Sequence, residues 1–365
     1  MQERVTVNLD DRAACAAIDP LDMAGYIAGL PAQCRAAWAA GLAWEPPATF
    51  RAPKRVVILG MGGSAIGGEV VTTLAARMAS IPMQIVRGYH APDVDDDTLV
   101  IASSWSGETE ETLEAFQRTL GGEDHLQEPM RLAITTGGRL GRLGDALGYS
   151  VLSYEFAGQP RSAIGWGVFA LLGVLHRMQA MHVPERMVEE SIAQLEQCAT
   201  DWGIDQPGES NVAKQIARRI QGRVPVIFGP DFLEVAARRW AGQMSENAKQ
   251  WGLFAALPEL DHNLIVGFGG PDGAREALHV LMLDNAGVHD RTRLRIQLTG
   301  EALDRAGIQH DELLIGGDNH LDAIMRACYL SDWVSLYLAY LVGADPTEVR
   351  AISTLKDALG QHARG

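Results

Sequence analysis

The chain alternates short apolar runs with glycine turns or helix-like segments, and this alternation limits what it can fold into. Five such runs occupy residues 56–59, 83–86, 99–102, 131–134 and 150–153. Runs of this length, separated by helical segments, are typical of a parallel sheet covered by helices. A comparable series follows at 224–228, 263–268, 278–283 and 294–298. We therefore predict two α/β domains, each a doubly wound parallel sheet with helices on both faces.

The segments around these runs suggest where the domains begin and end. Residues 1–50 contain short helical patterns and several prolines, so we expect a helical N-terminal segment. The first domain is predicted over 51–200, and its apolar stretch 162–175 indicates a buried helix. The polar stretch 201–210 reads as a linker. We expect the second domain over 212–365, with C-terminal helices that include a long apolar one at 320–342.

Charge and cysteine usage exclude several classes of protein. The 46 acidic side chains outnumber the 31 Lys and Arg and give a net charge of −15, which argues against general affinity for nucleic acid or anionic membranes. Four scattered cysteines form no C-x-x-C pair, so we expect them to be buried apolar residues rather than disulfides or zinc ligands. The N-terminus has no apolar signal region, and the stretch 162–175 is too short to span a bilayer. We expect a cytoplasmic protein with no nucleic-acid or membrane partner.

The first strand leads directly into a glycine-rich loop at 60–68, ahead of a helix-like stretch at 69–78. Glycines there allow close backbone approach, and amides at a helix N-terminus attract an anion. Gly60, Gly62 and Ala65 also match the dinucleotide pattern G-x-G-x-x-A. The next strand ends in Arg87, where an NAD-binding protein has an acidic residue that holds the ribose, and this weakens the nucleotide interpretation. Two alternatives stay open: an NADP-dependent oxidoreductase, with Arg87 at the extra phosphate, and a purely structural tight turn. No Walker lysine follows the glycines.

The third strand leads into a second loop, at 103–112, which is rich in hydroxyl side chains. In a doubly wound sheet both loops lie at the carboxyl ends of their strands, where ligands bind. Ser64, Ser104, Ser106 and Thr109 can therefore converge on one anion, and hydroxyls with helix N-terminal amides suit a phosphate monoester. The alternative is that each residue only caps a helix or forms a turn.

Taken together, these motifs resemble a known family. The two loops are similar to those of the sugar isomerase (SIS) fold, and the chain from about residue 50 to 360 resembles the bifunctional phosphoglucose/phosphomannose isomerases. The resemblance rests on residues 60–64, 104–112, 159–161, 245–249, 258–263 and Lys356. It implies two SIS domains and a homodimeric, metal-free and cofactor-free isomerase of glucose 6-phosphate and fructose 6-phosphate, and also of mannose 6-phosphate. It implies that five residues bind the substrate phosphate: Gly63, Ser64, Ser104, Ser106 and Thr109.

Two ionisable residues of the second domain are candidates for proton transfer. Glu246 lies near the end of a predicted helix, His262 follows a short turn, and neither belongs to a metal-ligand pattern. A carboxylate can move a proton between adjacent carbons, and a histidine can assist at an oxygen near neutral pH. The alternative from the residues alone is an ion-paired Glu246 and a hydrogen-bonded turn histidine.

The resemblance assigns four catalytic roles. It implies that Glu246 transfers the proton between C2 and C1 through a cis-enediolate, and that His262 of the partner subunit helps to open the sugar ring. It implies that Lys356 stabilises charge near the ring oxygen and that Arg161 holds the sugar or the enediolate oxygen.

Some positions depart from the family pattern. Ala65 stands in place of a glycine, and Glu108 and Asp261 stand in place of asparagines; Glu108 puts a negative charge beside the expected phosphate. Residues 121–129 look like an insertion. Mannose activity is linked in the family to a threonine, and the sequence leaves three alternatives open: Thr347, Thr354 or no counterpart. The resemblance also leaves open a non-catalytic SIS sensor of sugar phosphates, which needs the hydroxyl loops but not Glu246, His262 and Lys356 together.

Overall fold

The computed structural model describes residues 7–120 and 128–362 and begins with a group of three helices. These are α1 (Arg12–Ile18), α2 (Met23–Ala28) and α3 (Leu30–Ala43). The carboxylate of Asp11 caps α1 by accepting a hydrogen bond from the amide of Ala14. Pro31 lies in the first turn of α3, where its missing N–H costs nothing.

The first sheet has five parallel strands in the order β2-β1-β3-β4-β5. Its elements are β1 (Arg55–Leu59), α4 (Gly62–Met78), β2 (Met83–Val86), β3 (Thr98–Ser103), α5 (Glu110–Arg118), β4 (Met130–Thr135), α6 (Gly138–Leu147) and β5 (Ser150–Ser153). The chain order reverses between β1 and β3, so the loops after these two strands flank the ligand-binding crevice of such a sheet.

A helical region connects the two sheets. A 3₁₀ turn at Pro160–Ser162 and a π-helical turn at Trp166–Ala170 lead into α7 (Leu171–Arg177), which is followed by α8 (Glu185–Trp202). The described chain contains no helix that is both long and apolar enough to cross a membrane.

The second sheet has four parallel strands in the order β7-β6-β8-β9. Its elements are α9 (Val212–Ile220), β6 (Val224–Pro230), α10 (Glu234–Glu246), β7 (Leu253–Leu257), α11 (Ala274–Ala277), β8 (Leu278–Asp284), α12 (Asp290–Ala306) and β9 (Gln309–Leu314). Two C-terminal helices complete the described chain, α13 (His320–Val342) and α14 (Arg350–His362).

Both sheets are buried on two faces, as parallel sheets require. On β1, Val56 and Ile58 contribute to the large core, while Val57 and Leu59 pack on the opposite face. The large core also takes up Ile227 of β6 and most of α13, so it lies between the two sheets. Burial on both faces explains why the central strands are continuous apolar runs rather than alternating ones.

Seven of the nine predicted strands are confirmed within a few residues, and two predictions are wrong. Residues 294–298 lie inside α12, and residues 264–269 form 3₁₀ turns without a buried residue. The strands found instead are β7 and β9, at the two edges of the sheet. Both edge strands are only partly buried: β9 reads Gln-His-Asp-Glu-Leu-Leu and lacks an apolar signal, whereas β7 is apolar and was missed in spite of that signal. The glycine loop is shorter than expected because α4 begins at Gly62.

Glycines let α4 pack directly against the backbone of the connecting region. A Cβ on Gly67 would lie 2.5 Å from the carbonyl oxygen of Gly167, and one on Gly63 would lie 2.9 Å from that of Pro160. Contacts this short leave no room for a side chain. The close packing brings the 3₁₀ turn that carries Arg161 against the N-terminus of α4.

Candidate active site

The two loops of the first sheet meet at the N-termini of α4 and α5. The hydroxyl of Ser64 accepts a hydrogen bond from the backbone amide of Trp105 at 3.3 Å, which joins the loops directly. In the second loop, the hydroxyls of Ser104 and Thr109 lie 3.1 Å apart, and Ser106 accepts from the amide of Glu108 at 3.2 Å. The structure thus joins the two loops that carry the predicted phosphate-binding hydroxyls of Ser64, Ser104, Ser106 and Thr109.

Glu108 does not direct its carboxylate at this hydroxyl cluster. Its Oε1 accepts a hydrogen bond from the backbone amide of Arg139 at 2.7 Å and lies 3.4 Å from the Arg142 guanidinium. The amide of Arg139 belongs to the first turn of α6, where a negative charge is favourable. The Glu108 carboxylate, which was expected beside the phosphate, therefore stabilises the N-terminus of α6 instead.

Arg161 is buried at the boundary between the two halves of the chain. Its residue surface is only 2% exposed, and its guanidinium is held by groups from the second half. Nε donates to Asn247 Oδ1 at 2.6 Å, and Nη2 donates to the carbonyl oxygens of Pro346 and Thr347 at 2.5 and 2.9 Å. Burial lowers the pKa of Arg161, and the nearby Glu246 carboxylate opposes that shift.

Glu246 is the last residue of α10 and faces Arg161 across a cleft. Its Oε2 lies 3.6 Å from Arg161 Nη1, and its side chain is 34% exposed, so the carboxylate is accessible to a ligand. The cleft has a volume of about 220 Å³, and its walls include Gly62 and Gly63 at the N-terminus of α4. Glu246 also borders a second cavity, of about 410 Å³, between the end of α10 and the start of α14.

A buried ion pair between Arg239 and Asp332 holds the backbone of Arg161. Arg239 Nη2 donates to the carbonyl oxygen of Arg161 at 2.9 Å and to the Asp332 carboxylate at 2.7 Å. Gln243 donates to the same carboxylate at 2.7 Å. Sequence reasoning missed this network, although a charged residue in the middle of an apolar helix such as α13 signals a buried partner.

The turn that carries His262 is anchored so that the imidazole remains exposed. Asp261, the residue before it, binds Arg295 and Thr299 of α12, each at 3.0 Å. The departure at Asp261 therefore has a structural role, and His262 lies on the surface of the single chain. The structure does not bring His262 into the cleft of its own chain.

Lys356 is also separate from the cleft. It lies on α14, whose residues are exposed along the helix in the described part of the chain. Thr354 lies on the same exposed helix, whereas Thr347 is buried and its carbonyl accepts from Arg161. Of the two candidate threonines, only Thr347 contacts a predicted site residue. Of the residues that look like an insertion, 121–127 lie outside the described residues.

Arg87, the residue considered for an NADP phosphate, is held by a carboxylate. Its Nη2 lies 2.5 Å from Glu69 of α4, and the same carboxylate binds Arg238 of α10 at 3.1 Å. Both arginines border the cleft, and the Glu69–Arg238 pair joins the first half of the chain to the second. The ion pair with Glu69 gives Arg87 a structural role. A site for the NADP phosphate would instead need the Arg87 guanidinium to be available to the ligand.

The fold and these loops place the chain among the phosphosugar isomerases with SIS domains. The fold is shared with a glucose-6-phosphate isomerase like protein from Thermus thermophilus, with a TM-score of 0.63 and 17% identity over 94% of this chain and 98% of that one. A family model described as the bacterial phospho-glucose isomerase C-terminal SIS domain matches residues 209–359.

Two curated relatives narrow the class to one family. A bifunctional phosphoglucose/phosphomannose isomerase from Caldicellulosiruptor bescii is 34% identical over 84% of this chain and 90% of its own length. Another, from Aquifex aeolicus, is 32% identical over 88% of this chain and 95% of its own length. The chain belongs to the bifunctional phosphoglucose/phosphomannose isomerase family.

Proposed function

We propose that this protein is an isomerase that interconverts glucose 6-phosphate and fructose 6-phosphate, and mannose 6-phosphate and fructose 6-phosphate. One observation carries the proposal: an accessible carboxylate, Glu246, lies 3.6 Å from a buried guanidinium, Arg161, in a cleft that borders the first loop. The relatives described above bear the names of both activities.

In this proposal the substrate phosphate binds where α4 and α5 begin. The backbone amide of Gly63 and the hydroxyls of Ser64, Ser104, Ser106 and Thr109 donate to its oxygens, and the two helix N-termini favour its negative charge. Short neutral donors suffice here because the positive ends of the helices contribute the electrostatics. The phosphate fixes one end of the sugar, and the reacting carbons extend into the cleft.

Glu246 then transfers the proton that defines the reaction. Its carboxylate takes the C2 proton of the open-chain aldose, the electron pair left behind forms the C1–C2 double bond of a cis-enediolate, and the C1 oxygen is protonated. Return of the proton to C1 and loss of the O2 proton give the ketose. Arg161, which is buried, stabilises the negative charge that develops on the oxygens.

The same chemistry accounts for two aldose substrates. Glucose 6-phosphate and mannose 6-phosphate differ only in configuration at C2. Removal of the C2 proton therefore converts both into the same enediolate. We assign the threonine linked to mannose activity to Thr347, because its carbonyl binds Arg161 and its buried hydroxyl has no hydrogen-bond partner among the described residues. Thr354 is exposed on α14.

The proposal includes a homodimer in which His262 of one protomer completes the site of its partner. Supporting this, large apolar side chains on both sides of His262 in the sequence are exposed in the single chain, with Val266 86% and Trp251 78% exposed. Such side chains favour burial in an interface. Lys356 is assigned to the same completed site, with the exposed apolar face of α14 packed in the assembly. We place the enzyme in the cytoplasm, where hexose phosphates are made and consumed.

The test is to incubate metal-chelated protein separately with glucose 6-phosphate and mannose 6-phosphate and to quantify the products by chromatography. The proposal predicts fructose 6-phosphate from each, followed by the other aldose. Binding of both sugar phosphates without turnover would instead favour a sensor and contradict the proposal.

A further inference from the structure

Lys249 occupies an unusual position beside the proposed base. It follows α10 by three residues and has a positive backbone angle, φ 55°, which is uncommon for a residue other than glycine. With Glu246 it lines the cavity of about 410 Å³ at the start of α14. A strained backbone of this kind persists only when surrounding contacts hold it.

The contacts that hold Lys249 are three backbone carbonyls. Its Nζ donates to the carbonyl oxygens of Glu246 at 2.8 Å, Asn247 at 3.3 Å and Asp345 at 2.5 Å. Two of these oxygens belong to the end of α10, and the third belongs to the segment that leads to α14. The ammonium therefore joins the residue that carries the proposed base to a different part of the chain.

That segment also holds Arg161. The carbonyls of residues 345, 346 and 347 are taken in succession, the first by Lys249 and the next two by Arg161. A shift of this segment would therefore move Arg161 and the end of α10 together. The 3.6 Å separation between Arg161 and Glu246 depends on the same set of bonds.

We propose that Lys249 is a positioning residue of the isomerisation, whose ammonium fixes the Glu246 carboxylate relative to Arg161 by tying the end of α10 to residues 345–347. The inference rests on the proposed function. Lys249 makes no contact with the reacting atoms in this account. It acts through the geometry of two residues that do.

The protonation state of Lys249 decides whether all three hydrogen bonds to the carbonyl oxygens can form. An ammonium has three N–H groups for three carbonyls, whereas a neutral amine has two. Burial, and to a smaller extent the positive charge of Arg161, lower the pKa of Lys249 to about 8, against the opposing charges of Asp345, Glu348 and Glu246. Deprotonation above this pH removes at least one bond, so we expect kcat to fall at alkaline pH.

The experiment measures kcat and KM for glucose 6-phosphate from pH 6 to 10 in the wild type, Lys249→Met and Lys249→Arg. We expect Lys249→Met to lower kcat between about tenfold and hundredfold with KM within about twofold, since small misplacements of reacting groups cost this much. Lys249→Arg should restore most of kcat and move the alkaline limb to higher pH, because a guanidinium stays protonated. Lys54→Met, at an exposed lysine distant from the cleft, is the matched control.

The outcomes separate this inference from the proposed function. A wild type that converts no sugar phosphate contradicts the function itself. An active wild type with unchanged kcat in Lys249→Met, or with an unmoved alkaline limb in Lys249→Arg, overturns the role of Lys249. Circular dichroism checks folding, and if Lys249→Met does not fold, the pH profiles of the wild type and Lys249→Arg decide the question.

Discussion

At the scale of residues, the site consists of side chains whose partners fix what each can do. Ser106 uses its oxygen to accept from the Glu108 amide, which leaves its O–H free to donate to a ligand. Arg161 donates hydrogen bonds from Nε and Nη2 to one amide oxygen and two backbone carbonyls, and its Nη1 faces Glu246. The first residue is suited to bind a phosphate and the second to hold charge in place.

Ser106→Ala tests phosphate binding at this scale. We expect KM for glucose 6-phosphate to rise about fivefold to tenfold, the effect of one lost hydrogen bond to a charged group, while kcat stays within about twofold. Steady-state kinetics measure both values. Ser80→Ala, at an exposed serine between α4 and β2, should leave both unchanged, and an unaltered KM in Ser106→Ala would remove Ser106 from the phosphate site.

Glu108→Gln tests the observation that this carboxylate faces α6. We expect KM to stay within about twofold and the melting temperature to fall, because a neutral side chain is a weaker acceptor at a helix N-terminus. Thermal unfolding and initial rates measure the two quantities. A marked decrease in KM would show that the Glu108 charge repels the substrate phosphate.

At the scale of elements, glycine positions decide how closely α4 approaches the connecting region. The Gly67 backbone packs on Gly167, and Gly63 packs on the Pro160–Ser162 turn that carries Arg161. These contacts place the N-terminus of α4 and Arg161 in one cleft. In the proposed function, the catalytic geometry therefore depends on helix packing as well as on the side chains of Arg161 and Glu246.

Gly67→Ala should destabilise the protein by about 1–3 kcal/mol. The new Cβ would clash with the backbone carbonyl of Gly167, which cannot move away as a flexible side chain can. Gly141→Ala is the matched control: it lies within α6, its Cβ would meet nothing closer than 3.7 Å, and it should stabilise by about 0.5–1 kcal/mol. Urea unfolding measures both free energies. Equal effects of the two substitutions would contradict the packing argument.

The sequence predicted the strands best where burial on both faces requires a continuous run of apolar residues. The central strands β1, β3, β6 and β8 each contain a buried apolar run, and each was predicted. Residues 294–298 alternate like a strand, yet Ile296 faces the core while Leu294 and Leu298 are 40% and 48% exposed on a helix. The edge strand β9 reads Gln-His-Asp-Glu-Leu-Leu, which carries no strand signal. Local patterns do not show which strands will be edges.

At the scale of the whole molecule, the site draws on both halves of the chain. The two loops were predictable because each follows an apolar strand, and the resemblance supplied Arg161 and Glu246. The bonds from Arg161 to residues 247, 346 and 347 were not predictable, since no sequence spacing records a contact between distant segments. His262 and Lys356 are exposed in the single chain, and in the proposed function they complete the site only in the homodimer.

Mixing two inactive variants tests the shared site. Glu246→Gln and His262→Ala should each be nearly inactive alone, but unfolding and refolding them together should restore about a quarter of wild-type activity. Half of the dimers are then mixed, and each mixed dimer has one intact site if the histidine comes from the partner. Each variant refolded alone is the control. No recovery in verified mixed dimers would exclude donation of His262 across the interface.

The central claim is that Glu246 moves a proton between C2 and C1, and proton NMR of glucose 6-phosphate in D2O tests it most directly. The wild type should form fructose 6-phosphate with deuterium entering at the exchanging carbons. Glu246→Gln should bind the substrate with a similar Kd while exchange and product formation fall by about a hundredfold to ten-thousandfold. Glu234→Gln, at the other end of α10, should exchange at the wild-type rate. Undiminished exchange in Glu246→Gln would contradict the account.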